Sequence, residues 1–276
     1  MNKSVLRRSA AFVAIKCALL STAANAVDIE GPVVIGKGGL YRLQNSTITS
    51  NNVRWAVRAK DGGIAELTNV RVTADGVASH AVLAEGVDST VVTRGGVIEA
   101  ETGSGVTADL GAFVSMTNTS VSGSRQGVTV MNGSRMQMVG GRIDMRSSDF
   151  RGEGALSGGV GSNLILRNVT INTVVDRDEK KGTTGDGVLA FNDGRVSITN
   201  TSITTIGNGA NGAQAGWKED RLDGGGIMID RSKITTLGDG ASGVLSQREG
   251  SYVQLELTNT VDTHGASAHG LHARSS

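Results

Sequence analysis

One phrase recurs along the chain and narrows the possible folds more than any total does. SITNTSITT at 197–205 has close variants in NSTIT from Asn45, TNVRVT from Thr68, TNTSVS from Thr117, RNVTIN from Arg167 and LTNTVD from Leu257. Aligned on the β-branched residue, the phrase sets Ile48, Val72, Ile98, Val121, Ile143, Ile171, Ile203, Ile234 and Val261 in order. Their spacings are 24, 26, 23, 22, 28, 32, 31 and 27 residues. A self-similar period of about 27 residues is the signature of a solenoid.

Each repeat carries a second apolar position, usually after glycine or alanine: Val57, Val82, Val106, Val128, Ala155, Val188, Ala213, Val244 and Leu271. A third segment precedes the asparagine and alternates apolar with polar, as in Leu164-Ile165-Leu166, Val196-Ser197-Ile198 and Leu255-Glu256-Leu257. Alternation with period two marks strands with one buried face. Three short strands per repeat, with no helical stripe between them, predict an all-β fold in which about nine turns of parallel strands stack into a rod of about 40 Å.

Three residues before the aligned position stand Asn45, Asn69, Gly95, Asn118, Gly140, Asn168, Asn200 and then Arg231. Asn and Gly share tolerance of left-handed backbone, so this column is expected to bend the chain between two strands. Stacked asparagines can also bond to one another along the column. Arg231 departs from the pattern, and the last copy, with Asn259 before Val261, is one residue shorter.

Composition agrees with a core of small columns: 40 glycines, 1 proline and 3% aromatic residues. Collagen is excluded by the missing Gly-X-Y period, and disorder by apolar residues recurring in register. The N-terminus reads as an export signal. Lys3, Arg7 and Arg8 precede the apolar AAFVAIKCALL, and Ala24-Asn25-Ala26 fits an A-x-A cleavage site. Lys16 interrupts the apolar stretch, and it also stands where a lipoprotein signal needs a small residue before Cys17, the chain's one cysteine. Cleavage after Ala26 leaves 27–276 with no cysteine and hence no disulfide. That segment has 23 basic and 26 acidic residues, which is no footprint for nucleic acid. No later stretch is apolar enough to span a membrane as a helix.

GGIAELTNVRVTADGVASHAVLA, from Gly62 to Ala84, resembles the repeats of bacterial autotransporter passenger domains, particularly the pertactin-like type. The resemblance covers about residues 33–273 and rests on the repeats together. It implies a right-handed parallel β-helix carried to the surface of a Gram-negative bacterium by a signal peptide and an outer-membrane β-barrel translocator. It also implies adhesion or virulence, with a host-cell or matrix surface as partner. Seven aromatic residues in 27–276 leave no room for a barrel with aromatic girdles. The last repeat stops after its second strand at Ser276, without a cap. The expectation is therefore a truncated passenger, displayed at the surface or in the medium, or periplasmic if truncation prevents translocation. A remnant without function is the further alternative.

Parallel β-helices also include polysaccharide lyases and hydrolases, which need two carboxylates across a groove. The acidic residues look scattered, with no pair recurring on adjacent turns at one strand position, and GDG at 185–187 and 238–240 read as isolated turns. His264, His269 and His272 cluster in HGASAHGLHA, while His80 stands alone. On a regular strand His269 and His272 face opposite ways, which argues against a shared zinc. No G-x-S-x-G elbow precedes a helix, and no catalytic, metal or cofactor group is expected.

Repeat length varies where extra residues enter: MRSSDFRGEG (145–154) and VVDRDEKKGTTGDG (174–187) before the second strand, GWKEDRLDGGG (216–226) after it. Insertions on a regular rod are where such proteins carry recognition. The candidate contact residues are therefore Asp176, Arg177, Asp178, Glu179, Lys180 and Lys181, and Trp217, Lys218, Glu219, Asp220 and Arg221. A solvated loop without function is the competing reading.

Overall fold

The computed structural model describes residues 26–51, 54–76, 80–145, 152–178, 184–217 and 224–274, with the short strands Val5–Leu6 and Val13–Ala14. The expected signal peptide, Ala24 included, otherwise lies outside the described residues, and Ala26 is the first of the continuous chain. The described residues contain no helix, and no helix among them is long and apolar enough to cross a membrane.

The chain winds as a β-solenoid of about eight turns. All strand pairings are parallel; the second strands form an eleven-stranded sheet, and the first and third strands an eighteen-stranded one. The nine β-branched positions form one unbroken register from Ile48 to Val261, eight steps long. The second column runs likewise from Val57 to Leu271. Both columns run through the central core, joined there by pairs such as Leu164 and Leu166 or Val196 and Ile198.

The third segment of the last turn departs from the reading. Val253 and Leu255, not Leu255 and Leu257, continue the column of Ile227 and Ile229. Leu257 follows the strand and is 64% exposed. Both pairs satisfy period two, so alternation alone cannot fix a register that slips by two.

The bend column is left-handed throughout, from φ 48° at Asn45 to 49° at Asn200, with Gly95 and Gly140 at 66° and 67°. Arg231, the apparent exception, adopts φ 46° as well. The bend does not interrupt the ladder between turns, because its amide bonds to the turn above: Asn69 N donates to Arg94 O (2.8 Å) and Asn200 N to Asp230 O (3.1 Å). The expected side-chain ladder forms at one step among the described residues, Asn69 Nδ2 donating to Asn45 Oδ1 (3.3 Å).

Serine closes the other corner, which the sequence did not advertise. Buried Ser89, Ser134 and Ser162 accept from turn amides one level below: Gly62 N (3.0 Å), Gly111 N (3.0 Å) and Gly133 N (3.1 Å). These hydroxyls give the turn amides a side-chain acceptor, beside the Asn132 carbonyl that Gly111 N also reaches (3.1 Å).

Glycine before the second column has a packing cause. A Cβ at Gly127, Gly187 or Gly212 would lie 2.2, 2.3 or 2.2 Å from the Cγ2 of Ile143, Ile203 or Ile234. The missing side chain is the space that each isoleucine fills.

Substitutions at two positions test this account by urea unfolding. Asn200→Ala should cost about 1–2 kcal/mol and Asn200→Gly little, because an L residue with a β-carbon resists φ above zero. Gly212→Ala should cost about 1–3 kcal/mol by overpacking Ile234. Equal behaviour of the two Asn200 variants would remove the bend from the argument.

Candidate functional site

The glycine column also reshapes the strand that follows it. The residue before each glycine and the residue three positions on come to the same outer side, where an uninterrupted strand would send them to opposite faces. His80 Nδ1 lies 2.9 Å from Thr107 Oγ1, a contact between these two positions on adjacent turns. The positions before the glycine (alanine, in the Trp55 and His80 turns) stack as Trp55, His80, Ser104, Gln126, Glu153, Asp186, Asn211, Ser242 and His269. A polar stripe therefore runs along the outer side of the second-strand sheet.

Mid-rod, the stripe is buried: Glu153 and Asp186 are both 0% exposed. They occupy equivalent places on adjacent turns, so the sequence reading that no carboxylate pair recurs at one strand position is overturned. GDG at 185–187 is likewise no isolated turn. The pair escaped notice because the insertion in 174–187 separates Asp186 from its repeat and shifts the apparent spacing.

The insertion itself closes over the carboxylates. Arg177 Nη2 donates to Asp186 Oδ1 and Oδ2 (both 2.8 Å) and to Gln214 Oε1 (2.6 Å), while its Nε donates to Gly209 O (2.9 Å). Asn211 N donates to Asp186 Oδ1 (2.7 Å), and Thr184 Oγ1 donates to Glu153 Oε1 (2.8 Å). Burial pushes the Asp186 carboxyl above the usual carboxylate range, and Arg177 and Asn211 pull against that shift. The chain continues through Asn211 Nδ2 on Gln214 Oε1 (2.8 Å) and Gln214 Nε2 on Gly216 O (2.7 Å). Around this network the outer face is covered too. Leu156 and Leu189 are 1% and 0% exposed, although they point away from the central core.

The candidate contact residues thus part company. Arg177 turns onto the rod as a clamp, and Asp176 Oδ1 accepts from Asn208 N (2.7 Å), fixing the insertion to the next turn. Asp178 forms an isolated bridge. Trp217 is half-buried, and its carbonyl accepts from Arg248 Nε (3.2 Å). Glu179, Lys180, Lys181, Lys218, Glu219, Asp220 and Arg221 lie outside the described residues. The two insertions leave from different ends of the second strand, and Arg177 of the first bonds to Gln214, shortly before the second begins at Gly216.

His80 and His269 lie on the stripe, toward its two ends, with His272 on the same strand as His269. His80 has its pKa lowered by burial first and then by Arg125 and Arg54. His269 and His272 lie on one side, with ring centroids 4.6 Å apart, contrary to the expectation of opposite faces. His264 Nε2 is 3.1 Å from Asp262 Oδ1. On the third-strand corner a shallow cleft of about 410 Å³ is lined by Asp88, Thr90, Phe113 and Arg135 among others.

No protein-family model, curated protein or solved structure matches the chain.

Removing one side of a buried charge pair strands the other, so Arg177→Ala should cost about 3–5 kcal/mol. Adding Asp186→Asn to that variant should recover part of the loss, because no unpaired carboxylate then remains. A double variant less stable than Arg177→Ala would refute the clamp. For His80 the sign follows from its lowered folded pKa: the unfolded chain binds the proton more readily. Its contribution is complete above about pH 6.5 and is lost as the pH falls toward the folded value. Urea titrations between pH 7.5 and 5 should show this slope, and His80→Gln should flatten it.

Proposed function

We propose that the chain is the β-helical part of an autotransporter-type passenger, exported and displayed as a non-enzymatic adhesion scaffold that contacts a host-cell or matrix surface through its insertions. The observation that carries this reading is the pairing of a regular parallel rod with an insertion, 174–187, anchored to it by Arg177 and Asp176. Anchoring at the base holds an insertion in place with little ordering left to be done on contact, which favours recognition. The repeats quoted from Gly62 to Ala84 support the family, and through it export by a signal peptide and a barrel translocator. Adhesion itself rests on that analogy.

A second reading, a carbohydrate-active β-helix enzyme, draws on one observation. Glu153 and Asp186 stack on adjacent turns, as acid chemistry on a sugar would require. Against it, both are buried, and Asp186 and one Glu153 oxygen are engaged by the chain's own Arg177, Asn211 and Thr184.

The purified chain should bind host cells or matrix without cleaving acidic polysaccharides. Cleavage abolished by Asp186→Asn or Glu153→Gln, with the fold retained, would overturn the scaffold reading in favour of the enzyme.

A further inference from the structure

The last strand, His269–Arg274, carries the exposed end of the polar stripe. Gly270 separates His269 from the rest of the strand, and the bend at this column brings His269 and His272 to the same outer side. Their ring centroids are 4.6 Å apart and their planes are inclined by 59°.

These two values match a shared ion. An imidazole nitrogen lies about 1.1 Å from its ring centre and binds a transition metal at about 2.0–2.1 Å. Two rings on one ion therefore have centres about 4.5 Å apart at a right angle and about 5.2 Å at the tetrahedral angle. The observed separation sits at the right-angle value. The inclination matters as well, because nitrogen lone pairs lie in the ring planes. Rings stacked face to face cannot aim at one point, whereas rings tilted this far can.

The state of His272 suits a ligand. Its Nε2 accepts from Arg274 Nε (3.1 Å), which requires that nitrogen to be unprotonated, and Nδ1 lies 3.5 Å from Ser242 Oγ. Arg274 is exposed and can swing off Nε2 when a cation takes its place. Among the described residues, no group of three or more His, Cys, Asp or Glu side chains converges to hold a metal. A site here therefore has two protein ligands and open positions. Two imidazoles at a right angle with water in the remaining positions fit a tetragonal ion, and copper(II) heads the affinity order for nitrogen ligands.

We propose that His269 and His272 form a two-imidazole site for a divalent transition metal of the copper(II) type on the outer edge of the rod. The site is independent of the scaffold reading, since it depends only on the strand after Gly270.

The test is a Cu²⁺ titration of the untagged full chain, read by electron paramagnetic resonance and by the visible absorption of bound copper. One equivalent should bind with a spectrum showing two coordinated nitrogens. Loss of the chelate in His269→Ala or His272→Ala should weaken binding by about a hundredfold. His80→Ala and His264→Ala should leave it within a factor of two. Binding that survives in both of the first two variants, or that falls as far in His264→Ala, would overturn the proposal. Circular dichroism of each variant separates a lost ligand from a lost fold.

Discussion

Along the described strands, each side chain lies against its counterpart on the neighbouring turns, at the spacing of parallel strands. That constraint governs the rest. Isoleucine fits closely in one column where the column facing it gives up its β-carbon, as the glycines at 127, 187 and 212 do against Ile143, Ile203 and Ile234. A bend can recur only if each residue in it tolerates φ above zero, and the chain meets that requirement even at Arg231. The scarcity of aromatics has the same origin, since large rings would have to stack along the whole rod.

The same glycines generate the site. By breaking the alternation of the second strand they gather a polar stripe on its outer side, with carboxylates in the middle and histidines toward the ends. Buried charge is costly unless it is paired, and the pairing comes from an insertion rather than from the repeat. Arg177 is thus both part of a candidate contact loop and the element that binds that loop to the rod.

Much of this was legible in the sequence, because a solenoid writes its register into its period. Ile48 through Val261 and Val57 through Leu271 could be aligned by eye, and the asparagine column announced its backbone. Three things were hidden for physical reasons. The slip at Leu255 arises because a shift of two preserves alternation. The Glu153–Asp186 stack was masked by an insertion that stretches the spacing between the two repeats. The common side of His269 and His272 depends on a local break at glycine, which a strand rule that assumes strict alternation cannot register. Export, surface display and partner rest on the family resemblance and on residues outside the described ones.

The central claim is the continuous parallel register across turns of unequal length. Thr73 and Thr235 occupy one outward column six steps apart, through Glu99, Ser122, Asp144, Asn172 and Thr204. Spin labels on cysteines at these two positions, in a Cys17→Ala background, would report their separation by pulsed dipolar spectroscopy. Stacked turns predict a single narrow distance of about 29 Å, six interstrand spacings, despite the 162 residues between the labels. A broad distribution, or a distance far from that value, would mean that the insertions break the rod and that the columns do not run through.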